Sequence, residues 1–236
     1  MAESKKKLPD KALDDHALHD KVLRVEERLL EAYSQPEWRP HLEPVAELVS
    51  TILSQNTTDT NRDVAFDRLR ARFESWEAVR DADTGDVIDA IRPAGLANQK
   101  GPRIQQALRT IAEERGDLEL DFLADWPVDE AKAWLTSIKG VGPKTAAIVL
   151  LFALGRPAFP VDTHVHRVSR RLGLIGPKDS REKAHDVLEA LVPEEDYYPF
   201  HLNMIRHGRE VCASGRPRCE ACNLTDLCHW YQENRQ

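Results

Sequence analysis

Apolar residues recur along the chain at steps of three and four, the period of one helix face, and no segment alternates apolar with polar residues. Leu18, Val22, Val25 and Leu29 step by four, three and four, behind Asp14 or Asp15 as a cap. Pro44 opens a helix whose inner face is Val45, Leu48, Val49, Ile52 and Leu53, and Asp59 caps the next, carrying Val64 and Leu69. Ile104, Leu108 and Ile111 mark another, stopped by Gly116. From Lys144 to Leu154 the chain reads as a continuous apolar helix, with Pro143 in its first turn, where a missing N–H costs nothing. Asp162 stands where a cap belongs for the helix after it. Asp179 caps one with Ala184, Val187, Leu188 and Leu191, stopped by Pro193, and Tyr197 to Val211 is helical too. About ten helices joined by short polar turns predict an all-α protein with almost no strand.

Composition adds little to that picture and charge adds more. A chain of 236 residues, 41% hydrophobic and 31% charged, can bury a sizeable core as one domain or two. It has no run of about 18 apolar residues, so no membrane span or membrane partner is expected. Residues 1–12 are lysine-rich without an apolar stretch and read as a disordered tail rather than a secretion signal. The net charge is −7, but it is segregated: Lys139 to Lys183 holds nine Lys or Arg against three Asp or Glu. Local field rather than net charge decides where a polyanion docks. The four cysteines all fall from residue 212 onward, which argues against scattered disulfides and for a reducing, intracellular setting.

Two helix starts carry candidate chemistry. Gly140-Val141-Gly142 is a tight hairpin that delivers the chain into a helix N-terminus, where free N–H groups and the dipole favour an anion. Lys144 lies in that first turn and Asp162 opens the second helix. One lysine and one aspartate beside an anion site suggest chemistry on a phosphate-bearing polymer. The bland alternatives are a lysine pairing with phosphate and an aspartate capping its helix. Cys212, Cys219, Cys222 and Cys228 have the spacing C-x6-C-x2-C-x5-C. Zinc ribbons generally use two C-x2-C pairs; four cysteines can also hold a [4Fe–4S] cluster, or pair as disulfides.

The run Gly140-Val141-Gly142-x-Lys144-Thr145-Ala146, followed by Val161-Asp162-Thr163-His164, resembles the helix-hairpin-helix and catalytic aspartate segment of the endonuclease III family, and the cysteine spacing matches that family at all four positions. The likeness runs from about Pro44 to Cys228. It implies a two-domain helix-hairpin-helix DNA glycosylase fold. A central six-helix barrel over residues 40–154 would end in the hairpin, and residues 13–39 plus 155–236 would form a composite domain carrying the iron–sulfur cluster. By this resemblance the hairpin and Asp162 lie at the cleft between the two.

The resemblance implies a bifunctional DNA glycosylase and abasic-site lyase of base excision repair. Its substrates would be oxidised or ring-damaged pyrimidines, and its partner double-stranded DNA containing damaged bases or abasic sites. Lys144 is then the nucleophile, needed neutral, and Asp162 the carboxylate that stabilises positive charge on the sugar. The loop Gln55, Asn56 and Thr57 fills the gap left by an extruded base; relatives carry glutamine there, whereas the match puts Asn56 at that position. Leu96 is an apolar wedge or a buried loop anchor, with Lys100 beside it. Lys139, Gly140, Val141, Gly142, Thr145, His164, Arg167, Arg216 and Arg218 complete the expected DNA contacts. Adenine glycosylases carry a glutamate near Thr51 and usually lack a lysine at position 144, and mismatch thymine glycosylases typically have tyrosine there. The rival readings are a mismatch-specific monofunctional glycosylase and a non-catalytic DNA-binding protein. A monomer in the cytoplasm, associated with the nucleoid, is expected.

Overall fold

The computed structural model describes the backbone of residues 11–234 and the side chains of residues 16–234. Residues 1–10, most of the expected tail, lie outside the described residues. Twelve α-helices are described: α1 Lys11–Tyr33, α2 Pro44–Ser54, α3 Asp59–Arg72, α4 Trp76–Asp81, α5 Thr84–Ile91, α6 Ala97–Arg115, α7 Val128–Ser137, α8 Pro143–Ile148, α9 Thr163–Leu172, α10 Arg181–Leu191, α11 Tyr197–Glu210 and α12 His229–Glu233. No strand occurs among the described residues. The chain falls into two compact units, Trp38–Pro160 and Met1–Glu37 with Val161–Gln236.

In the unit Trp38–Pro160, α2 is the central element. It packs against α3, α6 and α8. Not one face but every side chain from Pro44 to Leu53 is buried, so Ala46, Glu47, Ser50 and Thr51 join the expected inner face. A helix surrounded on all sides must be packed all round. The core around it includes Leu69, Val79, Ile91, Ile104, Leu108, Leu135 and Val149. Val64 departs from expectation: it is 44% exposed, and α3 buries Ala65 in its place beside the expected Leu69. Leu118 and Leu120 are buried in this core, and Arg115 stacks over Phe122, so the segment around 118–127 is packed structure.

In the other unit, α1 packs on α10 and α11, and α9 on α10, α11 and α12. Val22, Val25 and Leu29 of α1, Val165, Val168 and Leu172 of α9, and Phe200 and Met204 of α11 are buried.

Three caps differ from the periodicity reading. The first helix already runs through Asp14 and Asp15, so neither caps it. Thr58 rather than Asp59 caps α3, accepting from the Asn61 N–H, and Ser180 rather than Asp179 caps α10, accepting from the Lys183 N–H. Asp179 instead accepts from the Gly176 N–H at 2.8 Å. A short side chain caps only from extended backbone just outside the helix, and a difference of one residue is invisible to a 3.6-residue period. The helix from Pro143 changes character as well: Val149–Ala153 is π-helix. Its widened turn leaves carbonyls for outside donors, and Trp38 Nε1 and the His41 N–H take up the carbonyls of Leu151 and Phe152 at 2.8 and 3.1 Å.

Candidate functional site

The hairpin between α7 and α8 is built from one buried and two open positions. Val141 is buried and its N–H donates to the Ile138 carbonyl at 3.0 Å, which anchors the turn in the core. Gly140 has φ +93°, a conformation that needs glycine. Gly142 caps α8 with an ordinary φ of −98°, and a Cβ built there would meet nothing within 4 Å. Neither the backbone nor the chain's own packing demands glycine at 142; a side chain there would occupy only the space outside. Lys139 is exposed and Lys144 is half-buried in the first turn of α8. Thr145 and Val141, both among the expected DNA contacts, have buried side chains that do not reach the surface.

Two further loops belong to the same unit. After α2, Gln55 is half-buried, Asn56 is exposed with φ +52°, and Thr57 is half-buried. Before α6, Leu96 is 48% exposed with φ +50°. The alternative of a buried anchor is thereby overturned. Leucine in the left-handed region costs about 1–2 kcal/mol because its Cβ crowds the carbonyl that follows. Arg103 links the loops: its Nη1 donates to Gln55 Oε1 at 3.4 Å, and its side chain lies against Gly140. Sequence reading passed over Arg103, although it follows Lys100 at helical spacing on the same α6.

Lys100 is a correction. It is 1% exposed, and its ammonium donates to the Leu53 and Ala94 carbonyls at 2.7 and 2.8 Å. A lysine with its charge enclosed and its donors engaged is not a surface contact for DNA.

Asp162 caps α9 as expected. Its Oδ1 accepts from the His164 and Val165 N–H groups at 2.8 and 2.7 Å. Both capping bonds end on one oxygen, and among the described residues Oδ2 accepts none. His164 is half-buried, pushed by burial below the usual histidine range, so at neutral pH it is not a cation for phosphate. Arg167 is a correction as well. Its Nε and Nη2 donate to the Cys212 and Gly208 carbonyls at 3.0 and 2.8 Å, which makes it a strut between α9 and the cysteine loop. Arg218 likewise donates to the Glu210 carbonyl. Arg216 is exposed and makes no hydrogen bond among the described residues.

All four cysteines line one small cavity, together with Arg171, Val211, Pro217, Trp230 and Tyr231. They are free thiols. Among the described residues no three His, Cys, Asp or Glu side chains converge as they would on a single ion. Two nitrogens lie against the sulfurs: Arg171 Nη1 donates to Cys212 Sγ at 3.1 Å, and His207 Nε2 is paired with Cys222 Sγ at 3.6 Å. Burial pushes the Cys222 thiol up to about 11 and the Cys219 and Cys228 thiols upward. It also pushes His207 down to about 4, so the imidazole is neutral. Four thiols around one cavity, one of them accepting from an arginine, suit a group that supplies positive charge and takes several sulfurs at once. Arg171 and His207 were not singled out from the sequence. Their roles exist only once α9, α11 and the cysteine loop are packed together.

A family model described as HhH-GPD superfamily base excision DNA repair protein matches residues 49–194. The chain is 36% identical over 191 residues to an endonuclease III of Sulfolobus acidocaldarius, covering 80% of this chain and 83% of that protein. It is 35% identical to an endonuclease III of Thermotoga maritima, covering 80% of this chain and 84% of that one. A solved non-covalent endonuclease III–DNA complex aligns with a TM-score of 0.78 and 28% identity, covering 91% of this chain and 97% of that one. A trapped covalent endonuclease III–DNA intermediate aligns equally well. Since the matched stretch includes both the hairpin and the Asp162 helix start, and the curated relatives are covered over most of their length, the chain belongs to the HhH-GPD superfamily of base excision DNA repair proteins.

Proposed function

We propose that the chain is a bifunctional DNA glycosylase and abasic-site lyase that removes oxidised or ring-damaged pyrimidines from double-stranded DNA and nicks the abasic site. The observation that carries this reading is Lys144, half-buried in the first turn of α8 behind a hairpin whose Gly142 faces open space. Docking on DNA alone requires no lysine at that position.

The chemistry follows from the two side chains. As the N-glycosidic bond breaks, its electron pair leaves with the base and positive charge builds on the sugar. Asp162, with one oxygen committed to its helix and one not, supplies the opposing negative charge. The Lys144 amine then adds to the anomeric carbon and gives up a proton; the C1′–O4′ bond of the sugar breaks, with O4′ taking up a proton, and a protonated Schiff base is left. Loss of a C2′ proton expels the 3′ phosphate and leaves a nick. Asn56 and Leu96, exposed and left-handed, are suited to enter the gap left by the extruded base, while Gln55 is tied to Arg103. Backbone N–H groups around Gly140 and Gly142, with Lys139 and Arg216, supply phosphate contacts. Cys212, Cys219, Cys222 and Cys228 would hold a [4Fe–4S] cluster, whose chemistry here is cross-linking of a loop with little core of its own. The enzyme works as a monomer, inside the cell, on the nucleoid.

The test uses two duplexes, one with an abasic site and one with a single 5,6-dihydroxylated thymine. Base release, strand nicking and a borohydride-trapped protein–DNA adduct are expected. Base release without a nick would make it a monofunctional glycosylase, and tight binding without either would make it a binder.

A further inference from the structure

The loops that this reading sends into the duplex are joined by a residue the reading does not use. Lys100 reaches from the first turn of α6 into the core and is the largest of the fully buried side chains. Its two acceptors lie at the ends of helical segments. Leu53 is in the last turn of α2, and Ala94 closes the 3-10 turn Arg92–Ala94. Such carbonyls have no partner within their own helix. Asn56 follows Leu53 by three residues and Leu96 follows Ala94 by two. Both stand at positive φ, which asparagine adopts readily but leucine keeps only where the surroundings hold it.

No carboxylate pairs with Lys100 among the described residues, and burial pushes its ammonium below the usual lysine range. A cation enclosed without a counter-charge is costly, and methionine or leucine would fill the same space without that cost. The polar end therefore serves the two carbonyls. Both are acceptors, so the group can donate to them in either protonation state.

We propose that Lys100 is a positioning residue for base extrusion: it ties the end of α2 to the turn before α6, and so holds Asn56 and Leu96 in register with each other. This inference rests on the glycosylase reading above, and the test separates the two.

Single-turnover rates are measured for Lys100→Met on the duplex carrying 5,6-dihydroxylated thymine and on the duplex carrying a preformed abasic site, which has no base to extrude. Excision should fall about tenfold or more while β-elimination falls less than about threefold. Leu96→Ala should cost less in the Lys100→Met background than in the parent, because the wedge is already out of register. Equal losses on both duplexes, or additive losses in the double variant, overturn the proposal. If Lys100→Met does not fold, reductive methylation of the wild-type protein decides. Lys100 should stay unmodified with and without duplex, while Lys139 is modified when free and protected when bound. Modification of Lys100 in the free protein, blocked by DNA, would overturn the brace. A wild type that neither excises nor nicks would instead remove the glycosylase reading itself.

Discussion

At the scale of single residues, Lys144 and Asp162 separate catalysis from architecture. Asp162 both caps α9 and carries the proposed charge, and its two oxygens let one substitution divide the roles. Asp162→Asn retains an oxygen for the His164 and Val165 N–H groups, so thermal stability should hold, whereas Asp162→Ala should lose about 1 kcal/mol of it. Base excision should fall by about a hundredfold or more with either, as removal of one preorganised electrostatic group does elsewhere. Excision rates and melting curves of the two variants check this, and undiminished excision by Asp162→Asn would leave the residue only a cap. Lys144→Ala should abolish the borohydride-trapped adduct and the nick while DNA binding persists. An adduct in that variant would place the nucleophile elsewhere.

At the scale of elements, the hairpin and the cysteine loop each make a distinct prediction. Gly142 faces open space, so Gly142→Ala should fold with near-parental stability, and Gly142→Asp should fold but repel a phosphate. Gly140→Ala strains a φ of +93° and should lower the melting temperature. Titration of each variant with undamaged duplex and melting curves distinguish these outcomes; parental DNA affinity in Gly142→Asp would show that the hairpin is not the anchor. In the cysteine loop, iron and acid-labile sulfide should be found at about four each per chain. Cys222→Ser removes the sulfur beside His207 and should lose colour, iron and protease resistance between 212 and 228 together. A colourless, active protein containing one zinc would refute the cluster.

At the scale of the whole molecule, a buried acid sets how stability responds to pH. Glu26 of α1 is 6% exposed, and burial, followed by Asp196 and Glu195, pushes its carboxyl up to about 8 from 4.5. The folded chain therefore keeps a proton that the unfolded chain releases, and this contribution to stability is lost as pH rises from about 4.5 to about 8. Glu26→Gln should flatten that slope and gain on the order of 2 kcal/mol at pH 8, discounted for solvent screening. Denaturant unfolding at pH 5 and pH 8 measures it; an unchanged slope would show that Glu26 is ionised in the fold. The net charge of −7 is also a whole-molecule quantity, yet affinity for DNA should fall steeply with salt, because the basic residues from Lys139 to Lys183 set the local field.

The sequence by itself determined the helical class, the helices that carry the core, and the positions of the hairpin, Lys144, Asp162 and the four cysteines. These depend on short-range rules: a 3.6-residue period, a glycine pair before a proline, an aspartate before a helix, a fixed cysteine spacing. Tertiary structure decided everything that depends on which groups meet. It enclosed α2 on all sides, exposed Val64 and Leu96, and turned Arg167 from an expected DNA contact into a strut for the Cys212 carbonyl. It drew Lys100 away from the surface to the carbonyls of Leu53 and Ala94, 47 and 6 residues distant in sequence. A lysine in a polar loop reads as solvated because sequence records its charge and not its neighbours. Whether that charge meets a phosphate or two orphaned carbonyls is settled only when helices far apart in the chain are packed against one another.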